Sequence, residues 1–144
     1  MLAGAPVTTI LPVVDSGRAR GFYREALGLD YLGANSEGQE LFRLGAGGVL
    51  ALMSKPEGQQ AEHTVLSFQV TGITAYVRDL ASRGVTFEDY DLPGLTTVDH
   101  VCVLGSEQAA WFKDTEGNIL CLHEVRSDAE TIGERRRGPM QAFL

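Results

Sequence analysis

An α+β fold made of two copies of one β-α-β-β-β unit, followed by a C-terminal helical tail, is predicted by three features of the sequence. Apolar residues pass from strand-like to helix-like spacing and back twice along the chain. Corresponding landmarks recur: Val13 and Val70 lie 57 residues apart, Gly28 and Gly84 lie 56 apart, and the segments LFRLGAGGVLAL from Leu41 and WFKDTEGNILCL from Trp111 superpose at a constant offset of 70. A polar stretch with no apolar period separates the copies. Each copy offers a curved sheet that cannot bury both faces alone, so a repeat of this length carries architectural weight. The 144 residues read as a single domain, with repeat one over about 7–53, a linker over 54–62, repeat two over about 63–125 and a tail over 126–144.

The first strand is the β-branched run Thr8 to Val14, closed by Asp15, whose carboxylate suits the free amides of a helix start. Ala19, Phe22, Tyr23 and Ala26 then recur at i, i+3, i+4, i+7, which predicts a helix over 16–27 with Gly28 as its left-handed stop. Leu29 to Gly33, Glu40 to Leu44 and Val49 to Met53 read as strands, the last two joined by the glycine-rich GAGG. After the polar SKPEGQQAE, the order restarts with a strand from His63 to Val70. A helix from Ile73 to Arg83 follows, with Ile73, Val77 and Leu80 on one face and Gly84 after it. A strand from Val85 to Tyr90, a loop DLPGLTT, and a hairpin with arms Ala109 to Lys113 and Ile119 to Val125 complete the repeat. In the tail, SDAE is a capping-box signature for a short helix over about 128–137. There Arg135, Arg136 and Arg137 beside Glu130 and Glu134 read as a solvated helix end. Met140, Phe143 and Leu144 predict docking of the tail on its own domain or on a second subunit.

Composition narrows the function classes. With 12 Lys and Arg against 19 Asp and Glu, the net charge of −7 repels phosphate backbones and anionic lipid, so neither nucleic acid nor a membrane surface is expected as a partner. No run reaches the roughly 18 apolar residues that span a bilayer, and the N-terminal MLAGAPVTTILPVVD lacks a basic signal start, which predicts a cytoplasmic protein. Cys102 and Cys121, without a CxxC pairing, read as free thiols in a reducing compartment.

The segments FYREALGLDYLG, after an aspartate-capped strand, and AWFKDTEGNILCLHE resemble the vicinal oxygen chelate superfamily. That group includes glyoxalase I, extradiol dioxygenases, fosfomycin-resistance enzymes and bleomycin-resistance binding proteins. The resemblance covers about residues 7–125, with DTEGN where the family usually has DPDGN. It implies two curved half-barrels, each a concave sheet backed by a helix, usually completed by homodimerisation. In metal-dependent members, His, Glu or Gln side chains at four inward strand positions hold a divalent ion. Those positions fall here on Thr8, Ala51, Val65 and Cys121, none of which is such a ligand, so no metal and no cofactor is expected.

Strand alternation places His63, Val65 and Ser67 on one face and Cys121 with His123 on one face, leaving open a nonstandard His63, Cys121, His123 metal set. Neighbours two apart on a strand rarely share an ion well, which favours pocket or dimer-facing imidazoles instead. Cys121 reads either as a nucleophile activated by His123 or as a small packed side chain, and Cys102 as core. His100 next to Asp99 suggests a base with its carboxylate, but adjacent strand residues point to opposite faces. The expected ligand-binding residues are Thr8, Ala51, Met53, His63, Val65, Ser67, Tyr90, Trp111, Cys121 and His123. Ile10 is on the same face, and Phe112 replaces Trp111 if the hairpin register slips. Apolar and aromatic with a few polar groups, the set suits an aromatic or hydrophobic small organic molecule, or simply fills a core or dimer interface. The resemblance thus implies a metal-free binding protein. The alternatives are a lyase, isomerase or dioxygenase, metal-dependent or using Cys121 and His123, and a dimer with no ligand.

Overall fold

A computed structural model describes residues 1–125, which form two compact units: residues 1–60 with 114–118, and residues 61–113 with 119–125. The helix expected over 128–137 and the apolar residues Met140, Phe143 and Leu144 lie outside the described residues. Among the described residues no helix is long and apolar enough to cross a membrane.

In the first unit, β1 (Thr8–Val13), β2 (Asp30–Ala34), β3 (Glu40–Arg43) and β4 (Val49–Ser54) form a sheet in the order β1-β4-β3-β2. β1 runs parallel to β4 and the other pairs are antiparallel. As expected, Asp15 caps α1 (Ser16–Gly21): its Oδ1 accepts from the Arg18 amide at 2.9 Å. The single helix expected over 16–27 widens instead at Phe22–Ala26 into a π-helical turn, in which the Leu27 amide donates to the Phe22 carbonyl at 3.0 Å. This turn carries Tyr23, fully buried, whose hydroxyl donates to Asp114 Oδ2 at 2.5 Å. Gly28 stops the helix at φ +70°. Leu11, Val13, Ala19, Tyr23, Phe42, Leu50 and Leu52 make the core of this unit.

Residues 114–118 complete it. Asp114 Oδ1 accepts from the amides of Glu116 and Asn118, both at 2.8 Å, and Asn118 Nδ2 donates to the Pro12 carbonyl at 2.9 Å. Glu116 Oε1 accepts from the amides of Val14 and Asp15 at 2.9 and 2.8 Å, and Arg18 Nε donates to Oε2 at 2.8 Å. Burial alone raises the Glu116 carboxyl. Arg18, the two amides and the Thr115 hydroxyl outweigh burial and hold it at about 2.

The second unit keeps the β-α-β-β-β core as β5 (Thr64–Gln69), α2 (Ile73–Ser82), β6 (Phe87–Glu88), β10 (Glu107–Lys113) and β11 (Ile119–Val125), and inserts β7 (Asp91–Leu92), β8 (Leu95–Val98) and β9 (Val101–Leu104). Two expectations therefore need correction. The strand expected from Val85 to Tyr90 shrinks to two residues, and DLPGLTT is a hairpin rather than a loop, with Asp91 opposite Thr96 and Leu92 opposite Leu95. The cause is the far edge of β10, which is shared. Trp111 and Phe112 pair with β6, whereas Glu107 to Ala109 pair with β9, so β6 ends where β9 takes over.

The sheet order is β5-β11-β10-β9-β8-β7. Opposite residues share a face, so register sorts the side chains. Leu66, Phe68, Leu120, Leu122, Ala110 and Phe112 occupy one face. Ile73, Val77 and Leu80 are the buried stripe of α2, which packs on β10 and β11. The start of α2 has no side-chain cap of its own. Glu124 supplies one, accepting from the amides of Gly72 and Ile73 at 2.8 and 3.0 Å.

Candidate ligand-binding site

The other face of the second sheet carries the residues of interest. Ser67 lies opposite Cys121, Cys121 opposite Trp111, and His123 opposite Ala109. A bulge at the start of β11 sets Thr64 against Ile119 and Leu66 against Leu120, leaving Val65 without a register partner. The simple alternation expected of His63, Val65 and Ser67 is thus broken, and Thr64 and Ser67 both stand opposite residues of this face. Trp111, Cys121, Ala109, Cys102 and Leu95 pack together, with Tyr90, Leu104 and Ile119 against them.

Part of this cluster walls a cleft of about 260 Å³ lined by Glu62, His63, Thr64, Tyr90, Leu95, Trp111 and Ile119. Tyr90 and Trp111 meet edge to face, with ring centroids 5.6 Å apart and planes at 85°, so they form an aromatic corner. The hairpin β7–β8 brings Tyr90 and Leu95 there, fixed by the Thr97 amide on the Tyr90 carbonyl at 2.9 Å. Burial raises the Tyr90 phenol, and the charge of Glu88 raises it further. Three of the residues expected from sequence, His63, Tyr90 and Trp111, line this cleft. Glu62, Thr64, Leu95 and Ile119 are additional. Glu62 sits in a polar run that reads as linker, and Leu95 in a segment that reads as loop; the Pro93-Gly94 pair between alternating residues is the signal that marks a hairpin there.

Ser67, Cys121 and His123 lie further along the face. Ser67 Oγ and His123 Nδ1 are 2.5 Å apart, and His123 Nε2 has no hydrogen-bond partner among the described residues. Burial lowers the His123 imidazole, opposed in part by the charge of Glu107. The Cys121 thiol is fully enclosed and donates to the Leu122 carbonyl at 3.2 Å, and burial pushes it up to about 12. A nucleophilic thiol needs the opposite shift. His100 and Asp99 sit not on a strand but on the tight turn between β8 and β9, both at positive φ, and the His100 imidazole pairs with Asp89 at 2.9 Å rather than with its neighbour.

Thr8, Ala51 and Met53 belong to the first unit. Thr8 is opposite Val49, Ala51 is opposite Ile10 and Leu41 and fully buried, and Met53 lines a shallow recess with Ile10, Pro12, Lys55 and Gln59. Two of the four positions that the resemblance assigns to metal ligands, Ala51 and Val65, have no donor atom. A third, Cys121, holds its proton, and Thr8 offers only a hydroxyl. This donor set does not fit a divalent ion. Among the described residues no group of three His, Cys, Asp or Glu is placed to hold one.

Residues 5–122 match the family model described as Glyoxalase/Bleomycin resistance protein/Dioxygenase superfamily. The fold is similar to that of TnmS3, an antibiotic binding protein from Streptomyces sp. CB03234, with TM-score 0.63 and 23% identity over 87% of this chain and 98% of that one. It is also similar to the fosfomycin resistance protein FosX from Listeria monocytogenes, complexed with Mn(II) and sulfate, with TM-score 0.64 and 19% identity over 95% and 98%. A third structure, a putative glyoxalase family protein from Bacillus anthracis, gives TM-score 0.63 and 20% identity over 83% and 91%. No curated protein matches the sequence.

Proposed function

The chain belongs to the glyoxalase/bleomycin resistance protein/dioxygenase superfamily, and on that premise we propose that it is a metal-free binding protein that sequesters an aromatic or hydrophobic small molecule. The observation that carries this reading is the perpendicular Tyr90–Trp111 corner opening on the cleft. Concave sites with aromatic walls and a few polar groups favour organic ligands. The raised Cys121 thiol and the donor-poor family positions support binding without turnover. The antibiotic-binding character of TnmS3 supports an organic ligand on this fold. Exposed Ile10, Val98 and Val103 support a homodimer, which light scattering on the purified chain tests.

Trp111 is the single tryptophan, so its emission reports on the cleft directly. Titration with a panel of planar aromatic compounds is expected to change that emission saturably, and the compound is expected to be recovered unaltered after prolonged incubation. A ligand at 100 times its dissociation constant adds about 2.7 kcal/mol of stability, visible as a rise in Tm. Conversion of the bound compound would overturn sequestration, and an unresponsive Trp111 across the panel would overturn binding.

A further inference from the structure

We infer that the face of the second sheet shared with α2 carries a docking groove for the apolar end of this chain's own tail, Met140 to Leu144. Register defines the surface. Glu124 of β11 stands opposite Gln108 of β10, and Gln108 opposite Val103 of β9, so the three form one row on the face that packs α2. α2 packs on β10 and β11, and β9 and β8 extend the same face with Val101, Val103 and Val98. A recess of about 330 Å³ lies there, with these valines, Thr74, Gln108 and Asp99 in its walls. Val98 is 71% and Val103 53% exposed, and contiguous apolar surface of this kind marks a binding face.

Position, length and chemistry name the occupant. Glu124 accepts from the amides of Gly72 and Ile73, directly before the groove residue Thr74, so β11 ends at the rim of the recess. At about 4.8 Å per strand, β8 lies about 14 Å from β11, and a helix over 128–137 alone would span about 15 Å. The tail is therefore long enough to bring Met140 onto the valines. Met140, Phe143 and Leu144 suit an apolar floor, and Arg135 to Arg137, just before them, arrive beside Asp99, the charged residue of the lining. Leu95, which lines the cleft, alternates with Thr96 and Val98 along β8, so the recess and the cleft lie on opposite faces and docking of the tail does not depend on the ligand site. With the tail seated, Val98 and Val103 are withdrawn from contact between copies, and Ile10 stays available for a dimer.

Two experiments on the full chain test this. Trypsin cuts after Arg135, Arg136 and Arg137, and mass spectrometry follows loss of the residues beyond them. Val98→Asp with Val103→Asp puts charge on the groove while replacing exposed side chains, and an unchanged circular dichroism spectrum verifies the fold. Cleavage is expected to be about tenfold faster in this variant, because proteolysis follows the population of the undocked segment. Equal rates overturn the inference. In the second experiment, Val98→Cys with Phe143→Cys is expected to close a disulfide within one chain under mild oxidation. Gln69→Cys with Phe143→Cys is expected to close far less, since exposed Gln69 stands opposite His123 on the other face. Equal yields for the two pairs overturn the inference, and so does a bond between two chains in place of the intrachain one, which assigns the groove to a second copy.

Discussion

The Cys121 side chain is fully enclosed, its thiol proton is committed to the Leu122 carbonyl, and burial moves it up to about 12. Cys102 is 1% exposed and is also raised by burial. Neither is a thiolate at neutral pH, so neither is expected to react with Ellman's reagent at pH 8 in the folded protein. Both react in guanidinium chloride, and a fast native reaction of one thiol would disprove the enclosed geometry. Two titrations set the acid limb of stability. The Glu116 carboxyl is at about 2 when folded, against about 4.3 in an unfolded chain. As pH falls, the unfolded state takes up that proton first. Its stabilisation is therefore complete above about pH 5 and is lost as pH falls toward 2. His123 is lowered by burial, so below its ordinary value of 6.5 the unfolded chain again binds the proton first, and stability begins to fall from there. Urea unfolding at a series of pH values is expected to show both steps. Glu116→Gln removes the lower one and costs about 1–3 kcal/mol at pH 7, since it breaks a charged bond to Arg18.

At the scale of elements, α1 and α2 are started by related devices from different places. α1 has its own Asp15 cap, and Glu116 also takes the amides just before it. α2 begins at Gly72, which has no side chain to offer, and borrows Glu124 from β11. Glu124→Ala is expected to cost about 1 kcal/mol in urea titrations, comparable to loss of a local cap. Gly84 ends α2 at φ +92°, so Gly84→Ala is expected to destabilise by about 1 kcal/mol, through strain rather than contact, since nothing lies within 4 Å of an added Cβ. These devices also mark what was legible beforehand. Asp15, Gly28 and Gly84 announce helix ends through local chemistry, and the internal repeat announces the β-α-β-β-β succession of both units. The π-helical turn at Phe22–Ala26 is invisible in periodicity because its cause is distant, a buried Tyr23 bonded to Asp114. The β7–β8 hairpin was hidden because two-residue strands are too short to show alternation. Tyr90 and Trp111 stand out as aromatic rings near a rim, whereas Thr64 comes into line only through the bulge beside Val65, and Glu62 is indistinguishable in sequence from the polar residues before it.

For the molecule as a whole, the first unit is discontinuous in sequence. Residues 1–60 supply its sheet and helix, but the carboxylates that satisfy Tyr23, Arg18 and the amides of Val14 and Asp15 arrive with residues 114–118. A peptide ending at Gln60 would leave a buried phenol without an acceptor and α1 without half of its anchoring. It is expected to show little cooperative unfolding by circular dichroism, where the full chain melts sharply; a stable, cooperatively folding fragment would refute this. During synthesis residues 1–60 are on hand well before their missing clasp, so this unit must wait, incompletely closed, until residues 114–118 have emerged. Any damage to the DTEGN turn is therefore felt first by residues made some hundred positions before it.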